Sequence, residues 1–362
     1  MSEEIATRID GRAGRITLTR PGALNALSAA MVRAIDAALA AWADDPAVAL
    51  ILIEGEGSRA FCAGGDIADV YRSGRHGDFA DGARFWADEY RMNARIARLG
   101  KPYVALMQGF VMGGGVGASA HGSHRIVCET SQVAMPECMI GLVPDIGASH
   151  LLARAPGRLG EYLGLTGHRM GPGDAIRAGF ADTYVPEARW PDLAAALVER
   201  GDPAVIEDFA DPAPAAALAG LQEAIDDAFE AVDLAALAAR LEASDWGHGV
   251  LRTLRRQCPL SMACALELVR AARREPGVEK ALMREYRFSA RAASHGELLE
   301  GIRAAIIDKD RAPVWRDDMD SLRPDEVAAM LAPLGDAELV LPGANGPVGQ
   351  VAHSAYPVDT KE

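Results

Sequence analysis

Aromatic residues make up only 6% of the 362-residue chain, so aliphatic side chains and alanine must fill its core. Cysteine is also scarce. The five residues Cys62, Cys128, Cys138, Cys258 and Cys264 form no CxxC pair and are odd in number. This argues against a zinc ribbon, a thioredoxin-type motif and a disulfide framework, and leaves buried free thiols as the expectation. No run reaches the ~18 uninterrupted apolar residues of a membrane span. The opening residues are acidic and carry no apolar signal segment, so a cytoplasmic location is expected. Basic residues are outnumbered, 37 Lys+Arg against 51 Asp+Glu, for a net charge of −14. Such a surface repels nucleic acid and anionic lipid, and neither is an expected partner. Walker A, HExxH and G-x-S-x-G patterns are missing; Gly117-Ala-Ser119-Ala-His121 fails the last at its final position.

What is present is an ordinary globular balance, 49% hydrophobic and 24% charged. Alternating runs from Ile5 to Ile9 and Arg15 to Thr19, joined by Gly11-Arg-Ala-Gly14, predict a hairpin. Ser28 is placed to cap a helix reaching about Ala43, with Met31, Ile35, Leu39 and Trp42 on one face. Apolar runs at Val48–Ile53 and Pro102–Met107 predict buried strands, and shorter strands are expected at Arg125–Cys128 and Gln132–Met135. Between them, residues 78–99 read as a helix with Phe85, Tyr90, Met92 and Ile96 on its apolar face. Strands alternate with helices to about residue 190, which predicts an α/β class. Residues 191–334 are helical in pattern, and 335–362 read as an extended tail.

Two loops dense in small residues, Phe61-Cys-Ala-Gly-Gly-Asp66 and Gly113-Gly-Gly-Val-Gly117, each follow an apolar strand and precede a helix. Glycine lets a ligand approach backbone N–H groups, and those at a helix start carry partial positive charge. Two such loops side by side could aim two donors at one oxygen, as an oxyanion hole does; tight structural turns are the alternative. Gly115-Val-Gly117-Ala-Ser-Ala120 also fits a loose dinucleotide pattern, but the helix after it is too short for that crossover. Glu137 and Asp145 stand in apolar stretches, each after a proline. Burial there destabilises the charged form and suits acid–base or nucleophilic work. Asp145 would equally suit a helix cap ahead of Leu151 and Leu152. Glu89, within Asp88-Glu89-Tyr90-Arg91, reads by itself as part of a solvated helix face.

Arg20-Pro-Gly-Ala-Leu-Asn-Ala-Leu27, Ala60-Phe-Cys-Ala-Gly-Gly-Asp-Ile67, Met112-Gly-Gly-Gly-Val-Gly117 and Met135-Pro-Glu137 together resemble the enoyl-CoA hydratase/isomerase, or crotonase, superfamily. Pro144-Asp145-Ile-Gly147, Glu285-Tyr-Arg-Phe288, Glu300-Gly-Ile-Arg303 and Asp308-Lys-Asp310-Arg-Ala-Pro313-Val-Trp315 look like its 3-hydroxyisobutyryl-CoA hydrolase branch. The resemblance spans about residues 5–335. It implies a crotonase-like spiral of ββα units with a helical C-terminal region and an acyl-CoA substrate. CoA is then part of the substrate, with no separate cofactor and no metal. It implies backbone oxyanion donors at Ala63 and Gly114, catalytic acids at Glu137 and Asp145, and substrate contacts at Glu89, Gly64, Gly65, Asp66 and Gly113. In typical hydratases a second catalytic Glu matches Gly117 and a Gly matches Asp145, so the exchange here favours hydrolysis. Two departures stand out. Gly22 replaces a polar residue near the CoA nucleotide, and Ala148-Ser149 replaces Gly-Gly beside the acyl group. A basic rim drawn from residues such as Arg59 or Lys101 is expected to hold CoA. Relatives often form trimers or hexamers, so a homo-oligomer stays open.

Overall fold

The opening hairpin forms as its alternation requires: β1 (Ile5–Asp10) and β2 (Ala13–Leu18) pair antiparallel, with Ile5 opposite Leu18. These coordinates are a computed structural model that describes residues 4–341. The 342–362 part of the expected tail lies outside the described residues. Ser28 caps α1 (Ala29–Trp42) by accepting the Met31 N–H, and Met31, Ile35, Leu39 and Trp42 are buried.

Successive strands then alternate between two sheets. β3 (Leu50–Gly55), β5 (Tyr103–Leu106), β7 (His124–Val127) and β9 (Thr183–Tyr184) extend the hairpin into a six-stranded sheet of order β1-β2-β3-β5-β7-β9, parallel beyond β2. β4 (Ala60–Cys62), β6 (Phe110–Met112) and β8 (Gln132–Ala134) form a second, parallel sheet of three. Each long strand thus hands the chain to a short one before a helix, and stacking these turns gives the expected spiral. β4 and β6 were not anticipated, because three-residue strands carry too little alternation to register. Each glycine loop therefore leaves the short strand of its turn, not the long one.

α2 (Ala68–Arg75), also unanticipated, and α3 (Ala80–Arg98) follow the first loop; α4 (Gly114–Ser119) follows the second. Beyond these, α5 (Ala148–Arg154), α6 (Leu159–Thr166), α7 (Pro172–Arg177) and α8 (Trp190–Arg200) lead into the helical portion. That portion holds α9 (Gln222–Phe229), α10 (Leu234–Leu241), α11 (Asp245–Leu254), α12 (Pro259–Arg274), α13 (Val278–Ala292), α14 (Leu298–Ile302) and α15 (Pro324–Leu331). α12 packs on α5, and α13 packs on α3. One buried apolar cluster joins Ile16, Phe61 and Tyr90 to Leu266, Phe288 and Leu341. Residues 335–341 return to α13, where Arg287 Nε donates to Glu338 Oε1 at 2.9 Å and Leu339 and Leu341 are buried. All five cysteines are free and buried, and no helix among the described residues is long and apolar enough to cross a membrane.

Candidate active site

The two glycine loops lie against each other. A Cβ at Gly115 would come 2.2 Å from the Cys62 carbonyl oxygen, and one at Gly114 would come 3.4 Å from the Gly65 nitrogen. Only glycine permits that approach. The segment at 20–27 fixes the first loop from behind. Leu24 and Asn25 adopt left-handed φ of 52° and 55°, and buried Asn25 donates through Nδ2 to the carbonyls of Glu56 and Ala60. Leu27 N–H donates to Gly64 O, and Asp66 N–H donates to Leu27 O. In such a parallel bridge the residue between the two, Gly65, points its N–H away from the strand that holds it.

This geometry corrects one expected donor. The Ala63 N–H is already committed to Leu24 O at 3.0 Å, so it cannot also hold a ligand oxygen. The N–H groups that face the gap between loops are those of Gly65 and Gly114. Among the described residues neither has a hydrogen-bond acceptor, and Gly114 begins α4, where N–H groups have no partner within the helix. The Asp66 carboxylate is likewise held elsewhere. It accepts from Arg20 Nη2 at 2.9 Å, which ties the loop to its support.

Carboxylates close round this gap. Glu137 opens the 3-10 turn Glu137–Ile140 after β8. Its Oε1 lies 2.8 Å from a Cβ built on Gly113, and its Oε2 is buried without a hydrogen-bond partner among the described residues. Glu89 is not on a solvated face: it is 2% exposed on the inner side of α3. Its Oε1, also unpartnered, sits 2.5 Å from a Cβ built on Gly114. Glycine at 113 and 114 is what lets both acids reach the exposed amides. Asp145, on the loop before α5, accepts a hydrogen bond from Tyr90 Oη at 2.7 Å. It does not cap α5. That role falls to Glu285 of α13, which accepts from Gly147 N–H at 2.6 Å, Ser149 N–H at 2.9 Å and Ser149 Oγ at 2.5 Å.

Burial governs the charge states. It holds Glu137 well above the usual carboxylate range, with Asp145 and Glu89 adding repulsion. It does the same to Glu89, again with Asp145 as the repelling neighbour. Asp145 is pushed up to about 7 by burial, against the Tyr90 hydrogen bond. Glu285 is also pushed up to about 7 by burial, against its three donors. Acids poised in this way can take or give a proton near neutral pH.

The sequence reading missed four participants. Tyr90 was assigned to an apolar face, yet its hydroxyl meets both Asp145 and Ser289 Oγ, the latter at 2.6 Å. Ser289 and Glu285 arrive from α13, far along the chain, and no local pattern could place them. Asn93 lies one turn beyond Glu89 on α3 and is fully buried; an Asn at i+4 from a candidate acid was the available signal. Another candidate, Lys101, stands apart from the carboxylates. Its Nζ donates to the carbonyls of Trp42 and Asp45, both at 2.6 Å, so it ties down the end of α1 and offers little to a CoA rim. His121 bonds the Ile146 carbonyl and is pushed down to about 4 by burial. Cys62, against Gly64 O, has its thiol pushed up to about 12 by burial and is inert as a nucleophile. Arg59 is exposed, and a side chain at Gly22 would meet nothing within 4 Å.

Comparison with known proteins gives the family. The family model described as enoyl-CoA hydratase/isomerase matches residues 13–331. The mitochondrial 3-hydroxyisobutyryl-CoA hydrolase of Xenopus tropicalis is 36% identical over 345 residues, covering 91% of this chain and 89% of that protein. Its counterpart from Homo sapiens is 33% identical over 352 residues, covering 93% and 91%. A crystal structure described as an enoyl-CoA hydratase from Rhodobacter sphaeroides is 57% identical with a TM-score of 0.88, covering 93% of this chain and 100% of that one. A carnitinyl-CoA dehydratase structure from Mycobacterium thermoresistibile is 39% identical with a TM-score of 0.90, covering 94% and 100%. By sequence and by its crotonase-type spiral, the chain belongs to the enoyl-CoA hydratase/isomerase family.

Proposed function

We propose that the chain is an acyl-CoA thioester hydrolase acting on a short branched 3-hydroxyacyl-CoA, foremost 3-hydroxyisobutyryl-CoA. The products are 3-hydroxyisobutyrate and CoA, a step of valine catabolism. The relatives described as hydrolases support this substrate class. The packing at Gly117 carries the choice of hydrolysis over hydration. A Cβ there would lie 2.8 Å from Asn93 Nδ2 and 3.0 Å from Ile146 Cβ, so a second carboxylate cannot stand where a hydratase would carry one. The second acid is Asp145, the residue before Ile146.

In this mechanism the thioester oxygen sits between the N–H groups of Gly65 and Gly114, the donors that replace the expected Ala63 pairing. Glu137, once it has released the proton that burial favours, either attacks the carbonyl carbon to form an acyl-anhydride or takes a proton from the attacking water. On the first route water then cleaves the anhydride, returning the Glu137 carboxylate and the free acid; both routes consume one water and leave a proton on the departing thiolate. Asp145, protonated near neutral pH, supplies that proton. Gly64, Gly113 and Glu89 line the gap against which the acyl end rests. CoA arrives as part of the substrate, and the exposed Arg59 is a candidate for the rim that meets it.

A panel of acyl-CoAs with released CoA detected by a thiol reagent tests the assignment. Glu137→Gln is expected to lose about 10²–10⁴-fold in turnover while still binding acyl-CoA. Near-normal turnover in that variant contradicts the assignment. Consumption of crotonyl-CoA without thiol release identifies a hydratase instead, as the description of the 57% identical structure would have it.

A further inference from the structure

Among the described residues, buried side-chain amides are hydrogen-bonded with one exception. Asn25 holds two carbonyls. Gln108 donates to the carbonyls of Gly55 and Gly57, and Gln257 to that of Thr166, each lacking a partner only at its oxygen. Asn93 is 0% exposed, and both Oδ1 and Nδ2 lack any hydrogen-bond partner among the described residues. A buried amide left unpaired at both ends costs stability, about 1–3 kcal/mol for each group. Such a residue persists where something other than the fold selects it.

Its position says what. Asn93 follows Glu89 by four residues and Tyr90 by three, so all three lie on neighbouring positions of α3. α3 and α4 run past each other in register, with Gly114 against Glu89 and Gly117 against Asn93. An acyl chain whose carbonyl oxygen rests on the Gly114 N–H and which extends along α4 meets Glu89 first and Asn93 one turn deeper. Gly117 and Ile146, the residue after Asp145, lie beside it there. Neither offers a side-chain hydrogen bond.

Resting on the proposed thioesterase reading, we infer that Asn93 is the specificity-determining group that hydrogen-bonds the 3-hydroxyl of the acyl chain. A hydroxyl is one donor and an acceptor. A carboxamide is matched to both, with its oxygen accepting the O–H and its NH₂ donating to the hydroxyl oxygen. A carboxylate offers only the first. An acyl chain without the hydroxyl gains neither hydrogen bond, and the hydroxylated substrate is preferred by that difference.

The test compares 3-hydroxyisobutyryl-CoA with isobutyryl-CoA, which differ by this hydroxyl alone, in wild type, Asn93→Leu and Asn93→Ser. Wild type favours the hydroxylated substrate. Asn93→Leu is expected to lower that preference about 10–100-fold, through a fall in kcat/KM for 3-hydroxyisobutyryl-CoA while isobutyryl-CoA is unaffected. Its thermal midpoint without ligand stays level or rises, because an unpaired buried amide has been replaced by an apolar group of similar size. Asn93→Ser, which keeps one hydroxyl, shows an intermediate preference. Equal losses on both substrates identify Asn93 as a water-holding or structural residue and overturn the inference, as does an unchanged preference. If Asn93→Leu fails to fold, normal discrimination by Asn93→Ser overturns it. Failure of wild type to release CoA from either substrate overturns the thioesterase reading itself, a different result from any of these.

Discussion

Asp145 shows how one residue's surroundings set its chemistry. Its carboxyl is buried, and the Tyr90 hydroxyl and a hydrogen bond from its own backbone N–H only partly offset the loss of water. Its pKa therefore rises from the ordinary 3.8 to about 7 on folding. Between those values the folded protein holds a proton that the unfolded chain has released. The associated stabilisation is full below the lower value and is lost as pH climbs to the upper one. Asp145→Asn, which can still accept from Tyr90, removes this dependence. In denaturant unfolding from pH 5 to pH 8, the variant is expected to gain on wild type as pH rises; parallel curves would contradict it. Part of the wild-type slope survives in the variant, because Glu285 is raised to about 7 as well. The residue types at 137 and 145, and their apolar neighbours, already advertised perturbed acids. Which acid pairs with Tyr90 was not visible, since 55 residues separate the partners.

Among the elements, α13 is the one whose importance the sequence understated. It packs along α3 and delivers Glu285 to the start of α5 and Ser289 to Tyr90. Glu285 thereby acts on the site through the loop that carries Asp145. Its two oxygens accept three hydrogen bonds. A glutamine has one acceptor oxygen, so its NH₂ must face one of the two backbone N–H groups. Glu285→Gln is expected to cost about 1–3 kcal/mol in denaturant unfolding and to lower kcat as Asp145 shifts. An unchanged unfolding curve would show that α5 needs no such cap. Ser149, which stands where relatives carry glycine, donates its hydroxyl to this carboxylate; the departure noted in the sequence thus serves α5 directly. The short strands β4 and β6 were missed for a related reason. They exist because neighbouring turns of the spiral pair with them, while their own three residues state no preference.

At the scale of the whole molecule, segments on both sides of the expected boundary near residue 190 share one buried cluster. Ile16 and Phe61 of the spiral belong to the same apolar network as Leu266 and Phe288 of the helical portion. Unfolding followed by calorimetry and by circular dichroism is expected to give one coincident transition. A separate melting of the helical portion would contradict this. The net charge of −14 acts at this scale too. It repels CoA at long range, so local contacts must hold the nucleotide, and these salt screens less than it screens the general field.

The sequence by itself determined the alternation of strands and helices, the two glycine loops, the apolar settings of Glu137 and Asp145, and the family resemblance. Those features are written in neighbouring residues, through side-chain periodicity and backbone freedom. Only the tertiary structure decided that Gly65 rather than Ala63 presents the free amide, because the Ala63 N–H is consumed by Leu24 from another segment. It alone joined Tyr90 to Asp145 and Ser289 and set Glu285 at the start of α5. Hydrogen bonds and burial depend on what lies across space from a residue, and no spacing along the chain specifies that.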